Sequence, residues 1–147
     1  LHEEEDLHEE KERLARSGMS AFKSKPLLAK TLEFSLSSSV RSQDNVHMIG
    51  SVATNRQGRD LAWQFYKDNF DLLKSRYQSG FLLSHLVKSC SENFNTEEKA
   101  VEVEQFFASH PLPGSERNVA QAVETIRLNS AWRDRDAADI SNFFQMK

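Results

Sequence analysis

The chain is poor in the residues that would tie it to an oxidising compartment, a membrane or a polyanion. It holds one cysteine, Cys90, so no internal disulfide can form and a reducing, cytoplasmic setting fits. No stretch approaches the ~20 apolar residues that a membrane span requires. The net charge of −3 excludes the basic surplus of an extended nucleic-acid footprint. The first twelve residues are mostly acidic, so no signal peptide is expected there, and a start at Leu1 rather than Met favours an excised segment. A Gly-rich phosphate loop is missing, and strand-like alternation is nearly absent. The expected partners therefore include neither nucleic acid nor membrane.

What remains is a sequence patterned for helices. With 147 residues, 38% of them hydrophobic and 28% charged, it can bury a real core. The three prolines, Pro26, Pro111 and Pro113, all fall at predicted helix edges. About eight helices are expected. The first, residues 2–16, is charged on most faces, with Glu9–Arg13 and Glu12–Arg16 four apart in the favourable order. The second begins near Pro26 and lines up Leu28, Leu32 and Leu36. Ser42 or Asp44 can cap the third, which gathers Val46, Ile49, Gly50 and Ala53 on one face. A turn at residues 55–58 precedes the fourth. The fifth carries Leu82, Leu83, Leu86, Val87 and Cys90. Thr96 can cap the sixth, with Glu97 and Glu98 well placed against the helix dipole. The seventh starts at Ser115 and carries Val119, Ala122, Val123, Ile126 and Ser130. Asp136 is expected to cap a short eighth with Ile140 and Phe143.

The fourth predicted helix, residues 59–77, shapes the expected architecture. At 100° per residue its apolar side chains, Leu61 to Tyr77, cover an arc of roughly 200°. A helix lying on one surface needs about half of that, so this one is expected to pack on two sides. Sequential helices on short turns then give an all-α stack of antiparallel hairpins, a fragment of an armadillo- or HEAT-like solenoid. Asn69 and Arg76 break the arc seven residues apart. They face an internal cavity, form a structural tie between helices or lie exposed at the helix end, and a buried Arg76 needs a carboxylate or several carbonyls.

The wording of residues 58–86, GRDLAWQFYKDNFDLLKSRYQSGFLLSHL, resembles the C-terminal region of the gluzincin-type zinc aminopeptidases, closest to the puromycin-sensitive branch. Other blocks follow in collinear order: the acidic start, Val40-Arg41-Ser42-Gln43-Asp44, Met48-Ile49-Gly50, Glu104-Gln105-Phe106-Phe107, and Glu124 to Trp132. The resemblance covers nearly the whole chain. It implies that residues 1–147 are one helical domain, or the C-terminal part of a larger one. It also implies a non-catalytic role, closing over the catalytic domain of the same polypeptide and shaping the chamber that holds a peptide substrate. Chamber-facing positions implied by the resemblance lie around Gly50 and Ser51, with a loop expected after Ile49-Gly50.

Such a peptidase needs His-Glu-x-x-His on a helix, in which the two histidines bind zinc and the Glu acts as base. Here histidines stand at 2, 8, 47, 85 and 110, and neither His2 nor His8 completes the motif. The Gly-Ala-Met-Glu-Asn substrate motif of the family is also missing. No cofactor is expected in this chain, and zinc is expected in the catalytic domain of the parent protein. His85 and Cys90, five apart, point to different faces and make a poor nucleophile pair, so Cys90 reads as a small core residue. The alternative reading is a freestanding helical-repeat scaffold that binds another protein. A broad apolar face left open on the isolated chain, near its N-terminal helices, would favour the peptidase domain.

Overall fold

A computed structural model describes residues 13, 15, 17–77 and 81–145. Seven helices are delimited: α1 (Lys25–Ser35), α2 (Ser42–Thr54), α3 (Arg59–Asp68), α4 (Phe70–Arg76), α5 (Phe81–Ser91), α6 (Glu97–Ser109) and α7 (Glu116–Gln145). Residues 17–20 are also helical, and no strand occurs among the described residues. The first predicted helix lies largely outside them. No helix among the described residues is long and apolar enough to cross a membrane. The chain divides into two compact units, Leu1–Cys90 and Ser91–Lys147.

In the first unit, Pro26 sits in the first turn of α1, where its missing N–H costs nothing. Leu28, Thr31, Leu32 and Ser35 form the buried face of that helix, while Leu36 lies just past its end. Neither Ser42 nor Asp44 caps α2. The N-cap is Arg41, extended and without a side-chain capping bond. Ser42 is already helical, and Asp44 instead places its charge in the first turn, where it complements the helix dipole.

Helix α2 buries Asn45, Val46, Met48, Ile49, Gly50, Val52 and Ala53. At 100° per residue these span an arc of about 200°. It packs against both α1 and α3. Gly50 supplies a third close approach: a Cβ there would stand 3.3 Å from Ser89 Cβ and Oγ on α5. The helix with the broad buried arc is therefore α2, not the aromatic-rich segment that follows.

That segment is not one helix. Asn69 leaves helical geometry at φ −109°, ψ 16°, and separates α3 from α4. Its side-chain Nδ2 donates to the Phe65 carbonyl at 2.9 Å, the acceptor that its own backbone N–H uses at 3.0 Å. An asparagine that bonds back onto the preceding turn offers the backbone an alternative to the regular ladder. The buried residues here are Ala62, Trp63, Tyr66, Phe70, Leu73 and Tyr77. They occupy an arc of only about 100°. Phe65 is half-buried, and Leu72, expected inside, is 41% exposed. Trp63 stacks on Tyr66 at 5.8 Å, and Tyr66 meets Phe70 edge-on at 6.0 Å, so the stripe is continuous across the break.

Gly58 closes the turn between α2 and α3, with its N–H donating to the Asn55 carbonyl. Asn55 is the hub of this corner. Its Nδ2 donates to the carbonyls of Ser20 and Phe22, and its Oδ1 accepts from the Gln57 N–H. On α5, Leu83, Leu86, Val87 and Cys90 are buried as the pattern predicts, while Leu82 is half-buried. Burial pushes the Cys90 thiol up to about 12.

In the second unit the Thr96 side chain accepts from the Lys99 N–H, so the predicted cap is present. Ala100, Val103 and Phe107 of α6 face Ala122, Val123, Ile126 and Ser130 of α7 across the main packing of this unit. Gly114, at φ +88°, reverses the chain between them. Arg127 donates to Glu97 at 3.0 Å and to Glu104 at 3.1 Å, an exposed tie worth little in water. Asp136 caps nothing. It lies inside α7, which runs unbroken for 30 residues, and it pairs with Arg135. No proline or glycine interrupts residues 116–145, and Ala137-Ala138 favours continuation. Beyond Ser130 every described residue of α7 is exposed except the half-buried Asp136.

Candidate functional site

The four residues singled out from sequence do not converge. Gly50 and Ser51 lie within α2, three or more residues before it ends, so no loop follows Ile49. Gly50 is fully covered and serves packing. Arg76 is exposed, and its Nη2 donates to the Leu36 carbonyl at 3.1 Å, so a carbonyl from outside its own helix does hold it, although not in the interior. Asn69 is spent on the local bond to Phe65.

Ser51 has a different setting. It lines a cleft of about 190 Å³ together with Arg13, Ser17, Ser20, Asp44, His47 and Met48. Asp44, His47, Met48 and Ser51 recur at three- and four-residue intervals, which stacks them on one face of α2. The opposite wall comes from the helical residues before α1. A shallower depression of about 330 Å³ continues from Ser17, Ser20 and Ser51 to Ala21, Thr54 and Asn55. The Asn55 bonds to the carbonyls of Ser20 and Phe22 hold that wall against the end of α2. The trough offers one guanidinium, one carboxylate, one imidazole and several hydroxyls over the Met48 thioether.

Beside the cleft, the His47 ring meets His85 of α5 at 6.1 Å, and His85 meets Phe81 at 6.0 Å. His85 Nδ1 lies 3.2 Å from Ser89 Oγ, which is also the atom that Gly50 admits against α2. Among the described residues no three of His, Cys, Asp and Glu gather as a metal ion requires. The described residues therefore offer no set of ligands that fits a zinc ion. Cys90, wholly buried with its thiol pushed up, lacks the electropositive, accessible surroundings of a reactive cysteine. Sequence reasoning missed Arg13, Ser17, Ser20, Asp44 and His47. The spacing from Asp44 to Ser51 was the available signal, but the wall facing it comes from another segment.

Residues 1–128 match the model of the ERAP1-like C-terminal domain. The chain belongs to that family, the C-terminal domain of M1 aminopeptidases. It is 36% identical over 124 residues to aminopeptidase M1-B of Oryza sativa subsp. japonica, covering 84% of this chain and 14% of the relative. It is 30% identical over 132 residues to aminopeptidase M1 of Arabidopsis thaliana, covering 90% and 15%. With the thyrotropin-releasing hormone-degrading ectoenzyme of Rattus norvegicus it shares 38% over 109 residues, 73% of this chain and 10% of that protein. This member of the family thus spans a small fraction of the curated relatives it matches.

Proposed function

We propose that this chain is a non-catalytic part of a cytosolic zinc aminopeptidase of the puromycin-sensitive kind, closing over the catalytic domain and shaping the chamber for the peptide body. The observation that carries this reading is the large apolar surface left open on a chain whose family forms one end of a much longer enzyme. Leu128, Trp132, Ile140, Phe143 and Phe144 project from α7, Trp132 at 56% and Phe144 at 70% exposure. In the first unit Phe22, Leu27 and Phe34 are also exposed. Exposed apolar side chains repeated along one helix suit contact with another protein part. The polar trough along α2 supplies groups suited to a peptide backbone. The single buried thiol agrees with a reducing compartment.

The test separates the part from the whole. The purified chain, assayed with an aminoacyl fluorogenic substrate with and without added zinc, shows no turnover, and metal analysis finds no stoichiometric zinc. Deleting this segment from the parent enzyme alters discrimination between long peptides and small aminoacyl substrates. Turnover by the chain alone with stoichiometric zinc overturns the reading, as does a deletion that leaves peptide-length discrimination unchanged in a soluble enzyme.

A further inference from the structure

We propose that His47, His85 and Phe81 form a side-chain subsite at the edge of the α2 cleft, taking an aromatic residue of a bound peptide. The inference rests on the cleft being peptide-binding. Phe81 opens α5 at 80% exposure, the most exposed of the large apolar residues described. An outward phenyl ring is ordinary in isolation, but this one ends a row. It sits 6.0 Å from His85 at an interplanar angle of 42°, and His85 sits 6.1 Å from His47 at 66°. Both separations fall within the range of mutually attractive aromatic pairs. His47 in turn lines the cleft with Asp44 and Ser51. The row therefore leads from an open ring to the polar trough without a gap.

Ser89 Oγ meets His85 Nδ1, and Gly50 lets α5 approach α2 closely enough for the two imidazole centroids to stand 6.1 Å apart. A peptide laid along α2 finds polar partners for its backbone in the trough. A side chain directed towards α5 meets the row of His47, His85 and Phe81 rings. A planar aromatic side chain can pair with these rings, whereas a methyl group cannot. Aromatic pairing beyond simple area burial makes a preference of about tenfold reasonable.

The test titrates the isotopically labelled chain with two blocked pentapeptides, penta-alanine and the same peptide with a central Phe. Binding is followed at the Ser51 amide and at the His47 and His85 imidazole C–H signals. Both peptides are expected to shift Ser51, the Phe peptide binding about tenfold tighter and adding ring-current shifts at both imidazoles. Phe81→Ala removes the preference but keeps the weak binding, and Phe81→Tyr retains both. Phe81 is exposed, so neither variant endangers the fold. Equal affinities, or Ser51 shifts without imidazole shifts, overturn the subsite while the cleft reading stands. Silence at Ser51 with both peptides overturns the cleft reading and this one together.

Discussion

Replacing Gly58 by alanine tests how tightly the α2–α3 corner is built. A Cβ at Gly58 would stand 2.5 Å from the Val52 carbonyl oxygen and 2.7 Å from Val52 Cγ1. Carbon and carbonyl oxygen normally approach to about 3.3–3.6 Å, so relief requires a backbone movement of the order of 1 Å. The backbone angle is not the obstacle, because φ at Gly58 is −101°, which any residue adopts. The obstacle is the neighbour. The Val52 carbonyl accepts from the Asn55 N–H at 3.2 Å, and Asn55 ties this corner to Ser20 and Phe22. Pushing Val52 aside therefore loosens a hub as well as a contact. Overpacking of this kind costs about 1–3 kcal/mol, and alanine at an N-cap position adds several tenths more. The total expected is about 1.5–3.5 kcal/mol. With a urea dependence of about 2 kcal/mol per molar, the unfolding midpoint falls by about 1–2 M. Gly18 is the control. It lies in the helical residues 17–20, and a Cβ there meets nothing within 4 Å. Gly18→Ala is expected to leave the midpoint unchanged or raise it by up to about 1 kcal/mol of stability. A Gly58→Ala midpoint at or above that of the parent chain refutes the reasoning. So does a loss at Gly18 as large as that at Gly58.

Other perturbations have equally defined outcomes. Cys90 has a folded-state pKa of about 12 against an ordinary 9.0, so its contribution is complete below pH 9 and is lost as pH rises towards 12, at up to about 1.4 kcal/mol per pH unit. Urea midpoints at pH 8 and pH 10.5 should therefore converge on those of Cys90→Ala as pH rises, and a constant gap counts against the burial argument. Arg76→Met removes an exposed bond to the Leu36 carbonyl and an interaction with the Tyr77 phenol, and is expected to change stability by less than about 0.5 kcal/mol in a denaturant titration. The same change should raise the Tyr77 phenol further, since burial already raises it and the neighbouring guanidinium opposes that rise. Absorbance titration reads this directly. Thr96→Ala should cost about 1 kcal/mol, with Thr96→Ser close to neutral; equal losses for both would mean that the hydroxyl cap contributes nothing.

Features governed by a few consecutive residues were legible in the sequence. Pro26 marks the start of α1, Thr96 caps α6, and Val46, Ile49, Gly50 and Ala53 share a covered face because helical spacing alone groups them. The stripe ending at Cys90 was equally plain. What failed depended on choices made in three dimensions. Asn69 could have pointed to solvent or back at Phe65, and the second choice divides a helix. Asp136 has the chemistry of a cap, but a cap acts only where the preceding residue leaves helical geometry, and nothing before it does. The aromatic run from Trp63 to Tyr77 looked broad because large side chains on helix flanks count as apolar whether or not a neighbour covers them. Of the cleft, the α2 face could be read from spacing, but the arrival of Arg13, Ser17 and Ser20 opposite it could not.

The long α7 helix gives the second unit an uneven energy profile. Up to Ser130 its amides are anchored by buried Ala122, Val123 and Ile126, so their exchange with deuterium requires an opening that disturbs the core. The next fifteen residues have no such anchor, and a lone helix of that length is only marginally ordered in water. Protection should therefore drop within a single turn after Ser130. A surface that covers Trp132 and Phe143 would both bury apolar area and complete the ordering of that segment. Its association would carry a larger negative heat-capacity change than rigid docking of the same area.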